Sequence, residues 1–268
     1  MAIDRGKQFE YALMKSAYSR IKSPTADQIN KLKNYQSQPI ESGVDAAAEY
    51  MLDKISPANP TDQFYRSFVQ LGGSRPEPKT DVLFVKNGVK HKCSMKWGDA
   101  YQFSSAGIEG TINVLNSILF KVASSGQMGG ESVLKVAEVM DELSQTLGDG
   151  PRSQEQSIMK SKLEIAKRSG GLNDKLQEIL GSRKNPSVSN AFITFKKEVL
   201  KEALTGNILF NGNDNAANYI LSNTEIKPID DKLVASLLDN VYVDIRLKGR
   251  GKKGGVRLNE AVIRIEPR

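Results

Sequence analysis

The spacing of apolar residues along this chain changes period twice. Over 5–21, Phe9, Leu13, Ser16/Ala17 and Arg20 form one stripe at intervals of three or four, which predicts a helix. Segments 26–35 and 43–55 follow the same rule. Ser56-Pro57-Ala58-Asn59-Pro60 then breaks the chain, and Thr61 is placed to cap a helix running to about residue 71. Residues 72–78, rich in Gly and Pro, read as an irregular lead-in.

Next the period falls to two. Segments 81–86 (DVLFVK) and 89–97 (VKHKCSMKW) read as strands. Asn87-Gly88 joins them, and both residues tolerate positive φ, which favours a tight hairpin. A helix is predicted over 105–124, followed by a flexible break at 125–130. The middle of the chain is helical in pattern, over 131–147, 153–169, 172–180 and 189–204. After Thr205-Gly206 the strand pattern returns at 219–223 and 225–228, with a helix around 230–238. In 241–247, Val241, Val243, Ile245 and Leu247 alternate with Tyr242, Asp244 and Arg246. Segment 261–265 is expected to pair with it across a loop at 248–255. This order implies an α+β or mixed α/β fold, read as one domain over 1–268 with a mainly helical insertion at about 126–188. The strands on either side of the insertion are expected to share one sheet.

Composition narrows the chemistry. Hydrophobic residues are 39% of the 268, enough for a folded core. No apolar run approaches the roughly 20 residues needed to cross a bilayer, so no membrane partner is expected. The N-terminal stretch lacks the apolar block of a signal peptide, which implies action in the cytoplasm. One cysteine, Cys93, rules out an intrachain disulfide, and a single histidine, His91, argues against structural zinc and against triad chemistry. Hydrolysis, if present, would run on carboxylates, lysine and a hard metal ion. The formal charge of +7 draws the chain to polyanions in a salt-dependent way, although many basic proteins bind no nucleic acid.

Strand parity sorts the hairpin residues. Ser94 and Lys96 lie two apart and share a face, with Lys90 and Lys92 nearer the turn. Cys93, Met95 and Trp97 take the other face, expected to be the core, with His91 at its end. The polar face is equally consistent with solvated lysine stems. Gln102 follows just past the strand. Farther on, Lys248, Arg250, Lys252 and Lys253 alternate with glycines, either as a solvated hairpin tip or as an arm that reaches phosphates.

The segment from Asp81 through Ser94-Met95-Lys96 resembles the catalytic hairpin of the PD-(D/E)XK, or restriction-endonuclease-like, nucleases, whose pattern is an acid followed by (D/E)-x-K. Gly6-Lys7-Gln8-Phe9-Glu10 resembles the G-x-x-F-E signature on the first helix of many members. The resemblance implies a core sheet flanked by helices and a Mg²⁺-dependent DNA endonuclease, with Mn²⁺ as substitute. It implies metal ligation by Glu10 and Asp81, catalysis by Lys96, and a supporting role for Gln102. Where the family has its second acid this chain has Ser94, a neutral hydroxyl that cannot replace a carboxylate's charge. Phosphodiester hydrolysis needs a metal-holding carboxylate, an activated water and a cation facing the transition state. The rival expectations are a non-catalytic DNA-binding protein on a degenerate nuclease fold and a bacteriophage structural or assembly protein. The resemblance points to a bacterial cell, a phage-infected host or a virion, and leaves room for a homo-oligomer.

Overall fold

The computed structural model describes residues 4–55, 62–71, 78–97, 101–102, 107–147, 171–253 and 256–267. The chain divides into two compact units: Met1–Asp99 with Phe210–Ile229, and Ala100–Leu209 with Asp230–Arg268. The segment read as an insertion, 126–188, falls within the second, together with the helices on both sides of it and the C-terminal strands.

The first unit is a mixed five-stranded sheet with helices. It comprises α1 (Arg5–Ser19), α2 (Ala26–Gln36), α3 (Ser42–Ile55), α4 (Asp62–Arg66), β1 (Val69–Gln70), β2 (Val82–Lys86) and β3 (Val89–Lys96), with β5 (Tyr219–Ser222) and β6 (Ile226–Pro228) returning from late in the chain. The strand order is β1-β2-β3-β5-β6. β3 and β5 are parallel neighbours and the other pairs are antiparallel. Of the strands that follow the helical middle, β5 and β6 therefore share a sheet with the hairpin, whereas Val241–Lys253 and Val256–Pro267 belong to a second sheet, which corrects the single sheet expected.

Each element has a local cause. The Asp4 side chain accepts the Gly6 backbone N–H and starts α1, and Thr25 and Gln28 form a reciprocal capping box for α2. Asn87 and Gly88 sit at φ 53° and 76°, the primed turn that the dipeptide predicts. The helix expected over 61–71 is shorter, ending at Arg66, with Thr61 outside the described residues. Val69 and Gln70 instead pair with Leu83 and Val82, because an open sheet edge offers them ladder hydrogen bonds that the frayed end of a one-turn helix does not.

Parity holds where it matters for the core. Val82, Phe84, Cys93, Met95 and Leu221 pack against Phe9, Ala12, Leu13 and Met14 of α1 and Val44, Ala48, Met51 and Leu52 of α3. Trp97 packs against the same cluster, and its ring meets that of Phe9 edge-on at 5.7 Å between centroids. His91 lies stacked on Phe84 at 4.7 Å and beside Tyr219 at 4.6 Å, as expected for the end of the core face. Burial lowers its pKa, so it is a neutral packing residue at pH 7.

The second unit holds β4 (Tyr101–Gln102), α5 (Gly107–Ser124), α6 (Gly130–Leu147), α7 (Leu172–Leu180), α8 (Asn190–Thr205), α9 (Asp231–Leu237), β7 (Val241–Lys253) and β8 (Val256–Pro267). Its sheet runs β4-β8-β7. The helix expected over 153–169 lies outside the described residues. The loop expected at 248–255 is corrected. The ladder continues through Lys248↔Glu260 and Gly249↔Asn259, shifts register, and resumes at Lys252↔Arg257 and Lys253↔Val256. Strand pairing overrides the Gly-Lys composition there, so the basic residues lie on a two-stranded ribbon. No helix among the described residues is long and apolar enough to cross a membrane.

Candidate active site at the end of the β2–β3 ladder

The first unit gathers its ionisable groups where the β2–β3 ladder stops. Beyond the Val82↔Cys93 pair, Asp81 donates its N–H to Cys93 O at 2.9 Å. Its side chain then takes over from the backbone, with Oδ2 accepting the Met95 N–H at 2.5 Å. Asp81 therefore grips the residues on both sides of Ser94, and its carboxylate is fixed by the sheet itself.

Glu10 reaches the same place from α1. The Phe9–Trp97 contact docks the helix at the end of β3, which brings the residues next in sequence, Glu10 and Lys96, to that end as well. Glu10 Oε2 accepts from Lys7 Nζ at 2.7 Å and from Gln70 Nε2 at 3.4 Å. Gln70 is held in turn by the Tyr35 hydroxyl, which donates to Gln70 Oε1, and the Tyr35 ring is stacked on Tyr18 at 5.9 Å.

The electrostatics agree with this convergence. Burial first, and then the charge on Asp81, push the Glu10 carboxyl up to about 7, while Lys7 and Lys96 pull it back. Burial likewise raises Asp81, opposed by Lys96, the Met95 N–H, Lys79 and Lys7. Two carboxylates thus repel one another within a ring of three lysines.

Of the residues expected at the site, Glu10, Asp81 and Lys96 come within electrostatic reach of each other. Ser94 stands between the two Asp81 contacts, but its hydroxyl is 1% exposed and has no hydrogen-bond partner. Thr80 Oγ1, next to Asp81, is likewise buried and unpartnered. Lys90 and Lys92 are tied elsewhere: Lys90 pairs with Asp214 at 2.7 Å, and Lys92 donates to Gly212 O and Asn213 O. Gln102 pairs with Arg264 in the sheet of the second unit, and its side chain lies outside the described residues. The side chains of Lys248, Arg250, Lys252 and Lys253 do so too.

Three contributors escaped the sequence reading. Lys7 had a signal, since it precedes Glu10 by three residues on one helix face. Lys79, buried two residues before Asp81, had only its nearness to that acid. Gln70 had none, because its reach to Glu10 exists only through the fold.

The donor set fits Mg²⁺. Among the described contacts Glu10 Oε1 and Asp81 Oδ1 accept no hydrogen bond, while each partner oxygen is already engaged. Mg²⁺ needs only one or two carboxylates when waters and phosphate oxygens complete its shell. The orphan hydroxyls of Thr80 and Ser94 are the kind of buried polar atoms that a hydrated ion satisfies. No cluster of three or more His, Cys, Asp or Glu side chains occurs among the described residues, so the pair of carboxylates would act alone.

The Glu10 shift has a sign that can be checked. Its folded pKa, about 7, lies above its ordinary 4.5. The native state therefore holds the proton more tightly, and this contribution to stability is complete below 4.5 and lost as pH rises through 7. Glu10→Gln removes the loss. Even after forfeiting the Lys7 ion pair, the metal-free variant is expected to be about 1–2 kcal/mol more stable than wild type at pH 8, with little gain at pH 4. Mn²⁺ should then stabilise wild type and leave the variant unmoved. Thermal unfolding at both pH values, with and without Mn²⁺, measures this, and a lower melting temperature for the variant at pH 8 would contradict it.

Compared with protein-family profiles, with curated proteins and with solved structures, the chain matches none.

Proposed function

We propose that the chain is a Mg²⁺-dependent DNA endonuclease that hydrolyses phosphodiester bonds, with Mn²⁺ as an effective substitute. The observation that carries this reading is the mutual repulsion of Glu10 and Asp81 beside Lys96. Two buried carboxylates crowded in this way cost stability, and a structural role gives little return for that cost. Two like charges beside cations suit a divalent ion and a phosphate.

Glu10 and Asp81 would hold the ion, which supplies a water made acidic by coordination and a positive charge on the phosphate. Asp81 is positioned by the Met95 N–H, and Glu10 by Gln70 and Lys7. Lys96, whose charge acts on both carboxylates, is the cation for the charge that develops on the phosphoryl oxygens.

The buried, neutral Ser94 favours one rival, a protein that binds DNA and does not cut it. Plasmid, single-stranded and branched DNA incubated with Mg²⁺ or Mn²⁺ separate the two readings. Cleavage supports the enzyme. Binding without cleavage of any of them leaves the DNA-binding reading in its place.

On either reading the β7–β8 ribbon is the DNA-contacting arm. Among the described residues β4 pairs with β8 only at Arg264 and Ile265, so from Ile245 to Lys253 the two long strands have only each other as described sheet partners. Nine residues of strand correspond to about 30 Å. A two-stranded ribbon also fits the major groove. Lys248, Arg250, Lys252 and Lys253, with Arg257 opposite Lys252, place the cations toward its far end. Replacing the first four together with serine is expected to weaken duplex binding at least tenfold at 0.1 M salt and to lower the salt slope by about 3–4. Fluorescence anisotropy across a salt series reads both, and an unchanged slope would remove the ribbon from the interface.

A further inference from the structure

The ion pair between Lys7 and Glu10 has no structural task that α1 requires. The helix is already started by Asp4 and anchored by Phe9, Ala12 and Leu13, all fully buried. The Lys7 side chain is 44% exposed, lies with its ammonium 5.4 Å from the centre of the Tyr11 ring, and touches the one Glu10 oxygen that Gln70 also holds. Glu10 is the buried partner, at 15% exposed, so of the two side chains Lys7 is the one open to solvent and able to leave. The ammonium also acts on Asp81, so a single mobile cation answers to both carboxylates of the site.

Resting on the metal-site reading above, we infer that Lys7 is an exchangeable counter-cation. It neutralises the Glu10–Asp81 pair in the metal-free protein, gives the pair up when a divalent ion binds, and then contacts a phosphate of the DNA. The argument is one of charge. With Lys7, Lys79 and Lys96 around them, the two carboxylates are already matched by cations in the metal-free protein. Adding a divalent ion beside Lys7 and Lys96 would place too many cations on two anions, and the least anchored of them is the one to leave. Both lysines sit on regular elements, but Lys96 on β3 is only partly exposed, whereas the Lys7 side chain on α1 is open to solvent. Once displaced it stands beside the site, where the next anion to arrive is phosphate.

The test compares wild type with Lys7→Met, which keeps the stem and removes the charge, and with Lys7→Arg, which keeps the charge. The first measurement is Mn²⁺ binding by calorimetry without DNA. Lys7→Met is expected to bind Mn²⁺ roughly fivefold more tightly, since no ammonium competes. Lys7→Arg should stay near wild type. The second is duplex binding in Ca²⁺ across a salt series, where Lys7→Met should bind more weakly with a slope lower by about one. Tighter Mn²⁺ binding together with a reduced salt slope supports the exchange. Unchanged or weaker Mn²⁺ binding by Lys7→Met overturns it, because Lys7 then only positions Glu10. An unchanged salt slope overturns the phosphate contact. Asp81→Asn in the same titration distinguishes the failures: if wild type and Asp81→Asn take up Mn²⁺ equally, the metal-site reading itself falls.

Discussion

Asp81→Asn is expected to abolish DNA cleavage, with a loss of at least about a hundredfold to a thousandfold in rate, while DNA affinity stays equal or rises slightly. Asparagine is the informative replacement. The Asp81 carboxylate accepts the Met95 N–H, and an asparagine carbonyl oxygen can accept the same bond, so the end of the ladder is kept. Only the negative charge goes, and with it the attraction for a divalent ion. Repulsion of the incoming phosphate also falls, which is why binding should not suffer. Lys96→Ala in parallel should lose cleavage comparably yet keep Mn²⁺ binding, because it removes a cation rather than a ligand. Rates on plasmid DNA, with anisotropy for affinity and calorimetry for Mn²⁺, give all three quantities. An Asp81→Asn protein that cuts at the wild-type rate would remove Asp81 from the chemistry, and with it the Glu10–Asp81 pair as the place of cleavage.

The elements that carry this site were legible because their signals are local. The period-two alternation over the hairpin, the Asn87-Gly88 turn and the apolar stripe of α1 depend on neighbours a few residues away. The structure repeats them almost residue for residue. Parity correctly assigned Cys93 and Met95 to the core, and Lys90 and Lys92 to the opposite face. What parity could not reveal is that Ser94, on the polar face, is fully buried, since burial depends on what covers a face and not on its periodicity.

Other features were illegible for the same physical reason. Val69 and Gln70 continue a helical pattern in sequence, yet the partner that decides their state lies more than ten residues away at Val82 and Leu83. Gln70 thereby comes to brace Glu10, a contact across 60 positions that no spacing rule encodes. The basic stretch of β7 reads as a loop because glycine and lysine disfavour strands, but its pairing with β8 supplies ladder bonds that outweigh propensity. The division of the chain at Asp99, with Phe210–Ile229 returning to the first unit, leaves no linker composition to find.

The second large effect is expected far from these carboxylates in sequence, at Lys196. Along α8 the buried residues Phe192, Phe195, Val199, Leu200 and Ala203 form an apolar stripe, and Lys196 falls within it. The side chain is fully buried, and its ammonium donates to Pro186 O at 2.5 Å, Leu238 O at 2.5 Å and Val241 O at 2.9 Å. Burial draws its pKa down to about 8, so at pH 7 the charged form still prevails. That form has three N–H groups for three carbonyls, whereas a neutral amine would leave one unanswered. The three acceptors come from the turn before α8, the end of α9 and the start of β7, so one side chain ties together three segments. The turn is itself tightly made. Gly181 has φ 85°, and a Cβ there would meet Pro186 O at 2.2 Å, which leaves that carbonyl little freedom to find another donor. Lys196→Met keeps the length and apolar stem of the side chain but strands all three carbonyls. At about 1–3 kcal/mol for each buried unsatisfied group, partly relieved by relaxation, the expected cost is about 3–5 kcal/mol. That corresponds to a fall of roughly 10 °C in the unfolding temperature of the second unit. Chemical denaturation at pH 7 gives the free energy directly. A loss below about 1 kcal/mol would mean that the carbonyls find other donors and that the ammonium is not what holds the three segments together.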